Sequence, residues 1–133
     1  MKKSILLLGM FFLLSAVYAQ HKIGERYLGG IIYDVDSTGS HGLIADKADL
    51  GKMGWVDAVK KCKHKGLNWH LPEQNELNLL YKQKIVVGGF ANYTYWSSSQ
   101  NYHGDPWYQS FRNGYQFYAN EIYTFNVRAV RTF

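Results

Sequence analysis

The 133-residue chain has one cysteine, Cys62, so no internal disulfide can brace the fold and no paired-cysteine centre can be built. Two prolines and 47% apolar residues exclude a disordered or linker-rich chain, and 19% charged residues exclude a polyelectrolyte. Histidine is sparse and scattered. His21, His41, His64, His70 and His103 include no pair at the i, i+4 spacing that sets two imidazoles on one helix face. No metal site and no cofactor are therefore expected. The Gly-x-Ser-x-Gly turn that presents a serine nucleophile is also missing, because Ser97, Ser98 and Ser99 lie between Trp96 and Gln100. Long hydrophobic runs are confined to the N-terminus.

There, Lys2 and Lys3 precede the apolar run Ile5 to Leu14 and the small or modest residues Val17-Tyr18-Ala19, the form of a signal peptide cut after Ala19. The stretch from Ile5 to Ala19 falls short of the roughly 20 apolar residues that a spanning helix needs. The expected product is exported, whether periplasmic, surface-bound or secreted, with no membrane insertion after cleavage. Residues 20–133 are the size of one domain. Losing Lys2 and Lys3 takes the formal charge from +5 to +3. That balance is too weak to indicate a nucleic-acid partner.

The apolar runs Ile31 to Val35 and Gly42 to Ala45, separated by Asp36-Ser37-Thr38-Gly39-Ser40, predict two strands around a turn. Trp55, Ala58, Val59 and Cys62 recur at helical spacing up to Gly66, with Lys60, Lys61, Lys63 and Lys65 outside their arc. Burial on that arc makes Cys62 a structural thiol. A second helix is expected from Glu73 to Lys82, with Pro72 at its start and Leu77, Leu80 and Tyr81 as its buried stripe. Asn113-Gly114 signals a hairpin between Trp107 to Phe111 and Tyr115 to Tyr118. Tyr123 to Phe133 reads as one alternating strand with Phe125, Val127 and Ala129 on its apolar face.

Twelve aromatic residues fall between Tyr93 and Phe125, and two readings of them stay open. Rings with polar tips can stack on sugar faces, which would suit Tyr93, Tyr102, Trp107, Tyr108 and Tyr118, with Asn101, Gln109 and Asn120 giving hydrogen bonds. Alternatively the rings fill a core, the reading favoured for Trp96, Phe111, Phe117 and Phe125. The lysine run likewise is either a solvated helix face or a cationic patch for sulfated or carboxylated polysaccharide.

The motifs Gly30-Ile31-Ile32, His41-Gly42-Leu43-Ile44-Ala45, Trp69-His70-Leu71-Pro72, Tyr95-Trp96-Ser97-Ser98 and Val127-Arg128-Ala129-Val130-Arg131 stand in this order. The chain in this respect resembles the bacterial domain family named after the C-terminal domain of a collagen-like adhesin, from about Gly29 to Phe133. The resemblance implies an α+β, C-type-lectin-like fold, with two helices packed on small antiparallel sheets and long aromatic-rich loops. It also implies a distant similarity to formylglycine-generating sulfatase-modifying enzymes, whose activity needs the cysteine pair this chain lacks. Calcium-dependent lectins use Glu-Pro-Asn or Gln-Pro-Asp with Trp-Asn-Asp, and the nearest proline motif here is Asp105-Pro106-Trp107. The family usually has Arg before Leu-Pro and Thr or Ser after it. This chain has His70 and Glu73, so the hydroxyl cap of the second helix is missing. It also has Asp34, expected at water, where a second aromatic is usual.

The combined expectation is a non-catalytic binding module for glycan or another extracellular surface ligand. Its candidate contacts are Tyr102, Trp107, Tyr108 and Gln109, or Lys60, Lys61, Lys63 and Lys65. The alternative is a structural or assembly component that holds a cell-surface protein partner. Arg128 and Arg131 are expected to pair with carboxylates such as Glu76.

Overall fold

The computed structural model describes residues 20–133, so the expected signal peptide, residues 1–19, lies outside the described residues. None of the described helices is long and apolar enough to cross a membrane.

The first apolar runs form β2 (Gly30–Val35) and β3 (Gly42–Ala45), an antiparallel pair flanked by β1 (Arg26–Tyr27). Their turn is closed by Asp36, whose Oδ1 accepts both the N–H and the hydroxyl of Thr38. The Thr38 hydroxyl leads in holding the Asp36 carboxyl down at about 2. The register shifts between Ile32 and Asp34, so Tyr33 is an extra residue on β2. Ile32 and Tyr33 are consequently both buried, and Asp34, expected at water, is half-buried. Glycine is required at position 30, where a Cβ would run into the Ala45 carbonyl oxygen.

After β4 (Lys52–Met53) comes α1 (Trp55–His64), which buries Ala58 and Cys62 as the helical spacing predicts. β5 (Trp69–His70) leads into α2 (Gln74–Lys82), and α3 (Lys84–Val87) is a third, short helix beyond the two expected. The missing cap on α2 is replaced in two ways. The Glu73 N–H donates to Glu76 Oε1 at 2.8 Å, and the Gln74 N–H donates to Ser99 Oγ at 2.8 Å.

The aromatic half supplies β6 (Thr94–Gln100), β7 (Pro106–Ser110) and β8 (Gln116–Tyr118), with β7 and β8 forming the hairpin that Asn113-Gly114 signals. The single strand expected from Tyr123 to Phe133 is instead two, β9 (Phe125–Asn126) and β10 (Val130–Thr132), in different sheets. The sheets run β1-β2-β3-β10-β5 and β4-β9-β6-β7-β8, antiparallel throughout except where β9 lies parallel to β6. The fold class is α+β, as expected.

Asn126 to Val130 are all buried, so this stretch has no water-facing side. Its polar members are hydrogen-bonded inside. Asn126 Nδ2 donates to Thr94 O, and the Arg128 guanidinium donates to Asp49 Oδ1, Asp46 O, Gly88 O and Gly89 O. Arg128 therefore pairs with Asp49 and not with Glu76, because Glu76 is engaged by His70. Neighbouring β6 residues divide the core. Trp96 joins Ile32, Ile44 and Leu71 in one apolar cluster, and Tyr95 joins Tyr33, Leu77 and Phe111 in another.

Candidate functional site

The β7–β8 hairpin carries four aromatic rings in successive contact. Tyr115 and Phe117 lie stacked at 6.0 Å between centroids, Phe117 and Tyr118 at 4.4 Å, and Tyr118 meets Trp107 edge-on at 5.4 Å. β8 is the outer strand of its sheet, so among the described residues its outer backbone edge pairs with no further strand. Tyr115 is 57% exposed, Phe117 42% and Tyr118 38%. Exposed aromatic surface of this kind, on a paired hairpin, is able to stack on flat apolar faces while the tyrosine hydroxyls take hydrogen bonds.

Of the expected aromatic contacts, Trp107 is a member of this array. Tyr108 is only half-buried but turns to the other side of β7, where it packs on Phe125 beside the Trp96 cluster. Burial raises its hydroxyl pKa. Tyr102 is 92% exposed in the β6–β7 loop and sits against His103, 3.9 Å between ring centroids.

Gln109 is not a ligand contact. It is fully buried, donating to Asn78 Oδ1 and Gly114 O and accepting from Gln116 Nε2. Alternation along β7 turns it toward α2, where its amide is needed to satisfy buried polar groups. Phe117, expected in the core, belongs instead to the exposed array. Tyr115, not among the expected contacts, joins the same array.

The structure divides the lysine run. Lys60 and Lys61 are exposed on α1. Lys65 is exposed as well, but its Nζ is held 2.8 Å from Asp46 Oδ2 and 4.8 Å from the centroid of the Trp69 ring. It is thus a structural pair and not a free member of a patch. Lys63 lies one turn beyond Val59, which itself lies one turn beyond Trp55. The three line a groove of about 390 Å³ with His70, Leu71, Glu73 and Ser98.

His70 at this groove faces an acceptor from each ring nitrogen. Nε2 lies 2.9 and 3.2 Å from the two Glu76 oxygens, and Nδ1 lies 2.9 Å from Asn68 O. Two acceptors call for two N–H groups, so the Glu76 hydrogen bond leads in raising the His70 pKa. Burial opposes ionisation of Glu76, but its bonds to His70 and to the Glu73 N–H outweigh that and lower its pKa. With Nε2 at Glu76 and Nδ1 at Asn68 O, neither ring nitrogen of His70 is directed at Ser98 across the groove. Ser97 Oγ donates to Trp107 O, and Ser99 Oγ accepts from the Gln74 N–H. Burial, reinforced by the Asp46 charge, pushes the Cys62 thiol up to about 12. Among the described residues no group of three or more His, Cys, Asp or Glu is placed to hold a metal ion.

The family model described as the Lcl C-terminal domain matches residues 39–131. No curated protein matches the chain.

Proposed function

The chain belongs to the Lcl C-terminal domain family, and on that premise we propose that it is an exported, non-catalytic binding module for a glycan or another extracellular surface ligand. The observation that carries this reading is the exposed array of Tyr115, Phe117, Tyr118 and Trp107. Sugars present C–H faces that stack on such rings, and the hairpin holds the rings in place before binding, which limits the entropic cost. Export follows from the leader, and a C-type-lectin-like ancestry of the fold is part of the same proposal. Lys60 and Lys61 supply positive charge for a sulfated or carboxylated polymer, with calcium not required.

The test is a glycan array that includes sulfated polysaccharides, run with and without calcium. Binding should fall at least tenfold in a Phe117→Ala, Tyr118→Ala variant of unchanged fold. Retained binding in that variant would move the site elsewhere, and binding that disappears without calcium would identify a metal-dependent lectin. A second reading, an assembly component holding a protein partner, is favoured by one feature. Ile85, 86% exposed, and Val86 stand outward on α3. Loss of a co-purifying surface protein on Ile85→Ser, with glycan binding absent in the native chain, would establish that reading instead.

A further inference from the structure

The groove lined by α1 and the start of α2 is separate from the aromatic array. We propose that it is a site for a small zwitterion with an apolar body, the chemistry of an apolar α-amino acid.

Its floor and one wall are hydrophobic. Helical spacing sets Trp55, Val59 and Lys63 in a row on one side of α1, and Leu71, almost fully buried, closes the base. The Trp55 indole N–H is already spent on Ser97 O at 2.7 Å, so Trp55 offers the groove only its apolar ring surface. At about 390 Å³ the space is of the size that takes a small molecule.

The charges are what select the ligand. His70 and Glu76 neutralise each other through their short hydrogen bonds, and both nitrogens of His70 are taken. This leaves Lys63 on α1 and Glu73 at the N-cap of α2, opposite in sign, with the Glu73 carboxylate also accepting the Glu76 N–H in a capping box. Among the described residues neither forms an ion pair, with the other or with any third group. A simple anion would gain Lys63 but meet Glu73, and a simple cation would gain Glu73 but meet Lys63. A ligand with both charges gains from each. Its carboxylate would take Lys63 Nζ and the Ser98 hydroxyl, its ammonium would take the Glu73 carboxylate, and its side chain would lie on Trp55, Val59 and Leu71.

The experiment is a titration of the chain with L-leucine, followed by the NMR signal of the Trp55 indole N–H. Isocaproate lacks the ammonium, isoamylamine lacks the carboxylate, and glycine lacks the apolar body, so each serves as a comparison. Leucine should give a saturable shift, and each of the three comparison compounds should bind about tenfold or more weakly. Lys63→Gln and Glu73→Gln should each weaken leucine by a similar factor. The reversed pair Lys63→Glu, Glu73→Lys should recover part of the affinity, which a variant that merely damaged the fold would not do. Val59→Trp, which fills the groove from its α1 wall without touching a charge, should abolish the shift. No saturable shift with leucine would overturn the proposal. So would isocaproate or isoamylamine binding as tightly as leucine, since the groove would then select a single charge.

Discussion

Ser99 Oγ lies 2.8 Å from the Gln74 backbone nitrogen, so the first turn of α2 is closed by a side chain from β6, 25 residues further along the chain. This hydroxyl comes from the other sheet, across the chain from Leu71-Pro72. Ser99→Ala should therefore cost about 0.5–2 kcal/mol, the usual value of a helix N-terminal cap. Urea unfolding of the variant measures it, and an unchanged midpoint would show that the Glu73–Glu76 contact caps the helix alone.

His70 and Glu76 make stability depend on pH at both ends. The His70 pKa is raised above its unfolded value, so its contribution is complete below the unfolded pKa and is lost as pH rises through the folded one. The Glu76 pKa is lowered, so its contribution is present above the unfolded pKa and is lost as pH falls through the folded one. The native protein should thus lose melting temperature from near neutral pH upward, and again in acid. His70→Phe should remove the upper loss. A native melting temperature that stays flat across the upper range would mean the pair is screened.

Arg128 is fully buried, and its partner Asp49 also accepts the Tyr95 hydroxyl at 2.7 Å. Removing the carboxylate leaves a buried guanidinium with three backbone carbonyls and the face of the Phe90 ring but no counter-charge. Asp49→Ala should cost about 3 kcal/mol, the low end for a broken buried pair because Asp49 is partly exposed. Denaturant unfolding gives the figure directly, and a loss below about 1 kcal/mol would place the pair among surface ion pairs.

Lys60, Lys61 and Lys63 on α1 and Lys65 at its C-cap should separate into classes. Lys60→Gln with Lys61→Gln should lower retention on a heparin-like resin and leave the melting temperature unchanged. Lys65→Gln should lower the melting temperature, because it removes the Asp46 pair and the contact with Trp69. Retention should also fall with salt as the Debye length shrinks from about 10 Å at 0.1 M to about 3 Å at 1 M. Neutralising Lys22, Lys47, Lys52 and Arg112 is the control. An equal loss of retention there would reduce the Lys60 and Lys61 effect to net charge.

What the sequence determined by itself was local. Apolar runs bounded by Asp36 to Ser40 define β2 and β3, the spacing of Ala58 and Cys62 gives the buried side of α1, and Asn113-Gly114 marks the β7–β8 hairpin. Each of these depends on neighbours within a few residues, whose periodicity and turn chemistry are written directly in the chain. The order of motifs likewise identified the family without reference to any contact.

Only the tertiary structure decided which side chains meet water. Phe117 and Phe111 look alike in sequence, yet Phe111 packs under α2 and α3 while Phe117, on the outer strand β8, is 42% exposed. Gln109 looks like a surface amide but is buried against Asn78, and Arg128, expected to pair with a carboxylate such as Glu76, pairs with Asp49 and three backbone carbonyls instead. Lys63 and Lys65 are two residues apart, and one lines a groove while the other pairs with Asp46. The physical reason is the same in each case. Burial of a residue depends on the element packed over it, and for these side chains that element lies tens of residues away in the chain.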